Sequence, residues 1–289
     1  MDRGREVRDV LAGADGTNTG RQAADWAAQR ADDRGLRLHL AKAVPESSYF
    51  RNPAEYAEVV TQAEMVLSRE RARVSARHPS LDIFTEWRPG EPAAVLTRLS
   101  ADAEMVVVGS DRPADSRGER FGSVSFQAAM LCQSPVAIIP GRAGAERSGV
   151  VAGFDGSADS RVALGVAAEE ADRMDMALTV LHASPSPSSA GPIDGAGGES
   201  PGVEPGQLLS AAARGIRDLH PGLTVQERVA WEVSPADALI QAAGQARLLV
   251  IGCRGGNGLR KPVGSVAEKV LGRLPSPTII TRPPSPRAS

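Results

Sequence analysis

Residues 9–16, DVLAGADG, and residues 149–156, GVVAGFDG, are one phrase written twice. Each is an apolar run that ends on Asp-Gly, and Asp15 and Asp155 stand 140 residues apart. Behind each run comes a segment with alanine and other apolar residues at helical spacing, RQAADWAAQRAD (21–32) and RVALGVAAEEAD (161–172). Next come two strand-like segments, LRLHLAKA (36–43) and ALTVLHAS (177–184), with Ala43 and Ala183 still 140 apart. The parallel resumes in GEPAAVLTRLSADAEMVVVGS (90–110) and VSPADALIQAAGQARLLVIGC (233–253). It closes with FGSVSFQAA against VGSVAEKVL and SPVAIIP against SPTIITR.

A period of this length marks a duplicated domain. Domains are expected over about 1–142 and 147–282, joined by a short polar linker, Gly141 to Ser148. In each copy strands alternate with helices, which implies a parallel sheet with helices on both faces. Met105–Val108 and Leu248–Ile251 are apolar throughout, as strands buried on both sides are. Pro92 and Pro235 stand where a helix begins. The fold class is therefore α/β, as two tandem open-sheet domains, each five-stranded and Rossmann-like.

The copies differ in the middle. Copy one has a helical stretch over about 53–77, with Asn52 as its cap, Pro53 in its first turn and Glu55 as a capping-box acid. Copy two has instead a Pro/Gly/Ser-rich segment, 184–206, expected to be a flexible loop, and a shorter helix over about 207–219. The last residues, 283–289, are expected to be a disordered tail.

Composition excludes several function classes. The chain has 289 residues, 42% hydrophobic and 24% charged, with a formal net charge of −2. There is no basic footprint for nucleic acid. No apolar run reaches the roughly 18 residues of a membrane span, and no secretory signal opens the chain, so a cytoplasmic location is expected. Two cysteines fit a reducing compartment. Aromatic residues are only 3%, so the cores must rest on Ala, Val, Leu and Ile. The Ala, Arg and Gly content suggests a GC-rich bacterial genome.

The loop after the fourth strand carries the chemistry. In copy two it runs Gly252-Cys-Arg254-Gly255-Gly-Asn-Gly258-Leu-Arg260-Lys261-Pro-Val-Gly264-Ser265. Its glycines permit left-handed backbone or a close ligand approach. The amides of Gly264, Ser265 and Val266 are expected to open a helix, where phosphate binds readily. Arg254, Arg260 and Lys261 give it a charge of +3 with no acid, which suits a polyphosphate. The corresponding loop in copy one keeps Gly122-Ser123 but has Arg112 in place of the second glycine. Its three acids, Asp111, Asp115 and Glu119, cancel its three arginines. That site reads as degenerate.

On these motifs the chain resembles the universal stress protein family in its tandem two-domain form, over nearly its whole length. Nucleotide-binding members of that family carry Gly-x2-Gly-x9-Gly-Ser/Thr. Copy two matches with an eight-residue second spacer, 256–263; copy one keeps nine residues, 113–121, without the second glycine. The resemblance implies an adenine-nucleotide alpha-hydrolase-like fold in which strands one and four adjoin, so that Asp155 and Gly252 face one another at the switch point. It further implies Gly153, Asp155, Ala183, Gly252, Arg254, Gly255, Gly264, Ser265 and Val266 as the nucleotide contacts, with Ala183 near adenine. The ligand would be ATP, with Mg, or another adenine nucleotide. The role would be stress or dormancy regulation through an unidentified protein partner, with the two domains paired within the chain or in a homodimer. The alternative is a nucleotide-free protein-interaction module.

Other readings stay beside these. Asp15 and Asp155 either contact ligand or stabilise a turn. The copy-two loop either binds or merely connects. Cys253 is either redox-sensitive or a small filler, and Cys132 is a core residue. His182 reads as structural, and Trp87 and Trp231 as packing residues at strand ends. His39, His78 and His220 form no ligand-spaced set for a metal. There is no Gly-Lys-Ser, no nucleophile elbow and no positioned base, so no catalytic residue is assigned. Any hydrolysis of ATP would be slow.

Overall fold

A computed structural model of the chain describes residues 9–110, 124–141, 147–184, 204–255 and 263–283. Several sequence expectations fall outside the described residues: most of the copy-one loop (Asp111, Arg112, Asp115, Glu119, Gly122 and Ser123), most of the linker, most of 184–206, residues 256–262 with Arg260 and Lys261, and the tail from 284. The chain divides into two compact units, one holding the described residues up to 141 and the other those from 147 onward.

The first unit runs β1 (Asp9–Gly13), α1 (Asn18–Arg34), β2 (Leu38–Val44), a short 3-10 turn (Ser47–Tyr49), α2 (Pro53–Ser75), β3 (Ile83–Pro89), α3 (Pro92–Leu99), β4 (Ala103–Ser110), α4 (Val124–Leu131) and β5 (Val136–Pro140). The second runs β6 (Val150–Gly153), α5 (Ala158–Arg173), β7 (Leu178–Ser184), α6 (Pro205–Leu219), β8 (Val225–Trp231), α7 (Pro235–Ala243), β9 (Leu248–Gly252), α8 (Ser265–Arg273) and β10 (Thr278–Thr281). Strand order is β3-β2-β1-β4-β5 in the first unit and β8-β7-β6-β9-β10 in the second. The pairings of β1 with β2 and β4, and of β6 with β7 and β9, are all parallel. The first and fourth strands of each unit thus lie side by side, and the order reverses there.

Local chemistry explains the elements. Thr17 caps α1 by accepting the Gly20 amide at 3.0 Å, and Ser157 caps α5 by accepting the Ser160 amide at 3.2 Å. Gly35 ends α1 in the left-handed conformation at φ 61°. The inner faces of α1 and α5 are chiefly alanine: Ala23, Ala24, Ala27, Ala28 and Ala31 in one, Ala163, Ala167, Ala168 and Ala171 in the other. Small side chains let the helix axis come close to the sheet. The approach is tightest at the fourth strand, where a Cβ on Gly109 would stand 2.6 Å from the Thr19 backbone and one on Gly252 would stand 2.9 Å from Asp159. A side chain at either glycine would drive the helix off the strand.

Pro92 and Pro235 open α3 and α7, and Asn52 caps α2 by accepting the Glu55 amide at 3.0 Å. Three boundaries differ from the sequence expectation. The helix α2 ends at Ser75, and β4 runs from Ala103 to Ser110. Pro205 and Gly206 belong to α6 rather than to the loop. Proline is at home in the first turn, where its missing N–H has no helical partner in any case.

Candidate functional site

The C-terminal ends of β6 and β9 meet at the switch point of the second unit, the place where open α/β sheets take ligands. Immediately after β6 the Asp155 carboxylate turns toward its own helix, and its Oδ1 accepts the Ser157 amide at 3.0 Å. Its other oxygen faces the loop after β9: a Cβ on Gly255 would lie 2.8 Å from Asp155 Oδ2. Asp155 and Gly255, 100 residues apart in the chain, are therefore in near contact, and the glycine is what permits it.

Cys253 fixes both ends of that loop. Its amide donates to the Thr281 carbonyl at 2.9 Å, and its carbonyl accepts the Gly264 amide at 2.8 Å. This corrects one expectation. The Gly264 amide is engaged within the loop, so the first amides of α8 left without a helical partner begin at Ser265 and Val266. No side chain caps α8, because the N-cap residue is Gly264. A second expectation also changes: Gly252, Gly255 and Gly264 are absent from the positive-φ residues. Gly252 and Gly255 serve close approach rather than left-handed backbone, and Gly264 has only ordinary contacts around its missing Cβ.

Gly153 faces a packed side. A Cβ there would stand 3.1 Å from both Leu239 and Ile251 side-chain carbons, so this glycine lets α7 seat on the sheet. Ala183 lies near the end of β7, half-buried, paired in register with Ala230. His182 is buried, and its Nδ1 lies 2.8 Å from the Phe154 carbonyl oxygen, to which it donates. It ties β7 to the chain leaving β6, a structural role. Cys253 is fully buried, and burial pushes its thiol up, which favours the filler reading over a reactive thiolate. Cys132 is buried just past α4. Trp87 is half-buried, and its indole donates to Glu64 at 3.3 Å. Trp231 departs from expectation: it ends β8 with 42% of its surface exposed, too far out to act as core packing.

One residue was missed by sequence reasoning. Asp159, in the first turn of α5, accepts the Arg254 amide on Oδ2 at 3.0 Å, with Arg254 Nε 3.7 Å from the same oxygen. An acid in a first helical turn reads as a partner for the helix dipole, and nothing in the sequence links it to a loop 95 residues on.

The matching place in the first unit starts from the same turn and adds a hydroxyl bond to it. Asp15 Oδ1 accepts both the amide and the hydroxyl of Thr17, each at 2.8 Å. A Cβ on Gly20 would collide with the same oxygen. The Asp15 carboxylate is thus folded into the start of α1, the turn-stabilising arrangement. Among the described residues no group of three or more His, Cys, Asp or Glu is placed to hold a metal ion, and no helix is long and apolar enough to cross a membrane.

Comparison with known proteins agrees with the architecture. The family model described as the universal stress protein family matches residues 6–140 and again 147–282. A universal stress protein of Mycobacterium tuberculosis is 30% identical over 305 aligned positions, covering 95% of each chain. A second from the same species is 30% identical over 302, covering 98% of this chain and 99% of its own. The crystal structure of a universal stress protein from Archaeoglobus fulgidus superimposes with a TM-score of 0.71 at 16% identity, covering 96% of this chain and 98% of that one. With the α/β order observed twice over and the family model matched in both halves, the chain belongs to the universal stress protein family and carries two tandem copies of its domain.

Proposed function

We propose that the second unit binds an adenine nucleotide, ATP included, in the crevice beyond β6 and β9. Nucleotide occupancy would make the chain a cytoplasmic stress or dormancy regulator read by a protein partner. The observation that carries this reading is the start of α8. In the same unit α5 and α7 are capped by the side chains of Ser157 and Ser234, and α6, without a side-chain cap, loses one first-turn donor to Pro205. The start of α8 has only Gly264, so the amides of Ser265 and Val266 suit an anion, helped by the helix dipole. Gly252, Arg254 and Gly255 line the approach, Asp155 adjoins it, and Ala183 is the small residue beside which adenine would lie. Gly153 supports the site through packing.

Calorimetric titration of the full chain with ATP, with and without Mg, tests the proposal. Binding is expected in the natural protein and is expected to weaken at least about tenfold in Gly264→Asp, which sets a carboxylate at the phosphate position. The missing Cβ of Gly264 has only ordinary contacts, the nearest 3.5 Å away, so this variant is expected to fold. Absence of binding in the natural protein at millimolar ATP would sink the reading. The alternative, a nucleotide-free interaction module, draws on Trp231 and Val233, large apolar residues exposed at the end of β8. It predicts a chain that purifies without nucleotide and loses its partner on Trp231→Ser.

A further inference from the structure

The Asp159 carboxylate sits against the first residues of the copy-two loop. It accepts the Arg254 amide at 3.0 Å and lies 3.7 Å from the Arg254 guanidinium nitrogen. Only 13% of its side chain is exposed. Its backbone cannot retreat toward the sheet, because the space that a Gly252 side chain would fill is bounded by Asp159 itself, 2.9 Å away. The fold does not need this acid. At the same place in the first unit stands Thr19, whose backbone meets Gly109 just as closely, and α1 forms with its own cap intact. Threonine therefore serves the helix start and the glycine contact. What Asp159 adds is a negative charge held against the loop.

From this we infer that Asp159 is a built-in anion that competes with phosphate for the Arg254 end of the loop and sets the site's selectivity against highly charged polyphosphates. The inference rests on the proposed nucleotide site and assigns it a discriminating residue. A phosphate approaching Arg254 must either displace the carboxylate or lie beside it, and repulsion between like charges grows with the ligand's charge. ATP is penalised more than AMP. The +3 charge read from the loop sequence is thereby offset at its first cation.

The test uses the full chain in three forms: natural, Asp159→Asn, which keeps the shape and removes the charge, and Asp159→Thr, which installs the copy-one residue. ATP, AMP and inorganic tripolyphosphate are titrated into each by calorimetry, with thermal unfolding as a check on folding. The expected result is ATP affinity about tenfold higher in both variants, with AMP gaining clearly less. Unchanged or weaker ATP binding in Asp159→Asn, or equal gains for ATP and AMP, would overturn the inference. Failure of every form to bind either nucleotide counts against the nucleotide reading itself. Tripolyphosphate then decides the role of Asp159 separately: tighter binding on removing the charge supports it, and no gain overturns it.

Discussion

The crevice after β1 and β4 and the crevice after β6 and β9 start from the same backbone and arrive at different chemistry. Both have an aspartate after the first strand, a hydroxyl cap on the next helix and a glycine on which that helix rests. In both, the aspartate accepts the amide two residues on, from Thr17 or Ser157, and in the first Thr17 adds its hydroxyl. The residue against the glycine is Thr19 in the first unit and the acid Asp159 in the second. The glycine and the helix cap are alike in kind in the two units, while the residue pressed on the glycine differs in charge.

The comparison can be broken most forcefully at the shared glycines. Gly109→Ala would push a methyl group to within 2.6 Å of the Thr19 backbone, and Gly252→Ala to within 2.9 Å of Asp159. Both are expected to lower stability, by about 3 kcal/mol in the first unit and about 2 in the second. Urea unfolding with hydrogen exchange resolved by peptide checks this and assigns each loss to its own unit. Equal stability to the natural chain in either variant would show that the close approach is not needed. The caps come next. Thr17→Ala and Ser157→Ala are each expected to cost about 1 kcal/mol, the same in both copies, measured as a shift in the unfolding midpoint. A clear inequality would mean that the Asp15–Thr17 hydroxyl bond carries stability of its own.

The smallest effect concerns acidity, and it belongs to the first unit. His39 is buried on β2, with Nε2 2.8 Å from Glu86 and Nδ1 4.0 Å from Asp9. Arg37 pairs with Asp9, and the Phe84 ring lies 4.9 Å away. Burial lowers the His39 pKa below its ordinary 6.5; the Glu86 and Asp9 carboxylates pull the other way, and Arg37 adds to the lowering. The unfolded chain then takes up the proton first. The contribution of neutral His39 is complete above the unfolded value and is lost as pH falls through the folded one. Unfolding midpoints between pH 7.5 and 5 should decline less steeply in His39→Gln than in the natural chain. Parallel slopes would remove His39 from the account.

The repeated DVLAGADG and GVVAGFDG phrases, the helix-opening prolines and the Asn52 cap made the architecture legible, because each acts within a few residues of itself. The copy-two loop was legible as a glycine-rich strand-to-helix connection. Its internal bonding was not. Whether the Gly264 amide faces out or bonds back to Cys253 depends on how two strand ends meet, and the Asp159–Arg254 bond joins segments that only the β6–β9 pairing brings together. Of the two uses that the sequence offers for these glycines, Gly252 and Gly255 take close approach, and what approaches is another part of the chain. Trp231 reads as packing from its place at a strand end matching that of Trp87, yet the strand it closes carries it to the surface.

The bond between the Cys253 carbonyl and the Gly264 amide has a consequence for how such loops change over generations. It closes the two ends of the segment on each other, so that insertions and deletions between them need not propagate into β9 or α8. Adding or removing one residue in a closed segment of about ten alters the closure entropy by only about 0.1 kcal/mol. The eight-residue spacer of this copy, against nine in the other, is therefore nearly invisible to folding. A one-residue change of spacer costs the chain little in closure entropy.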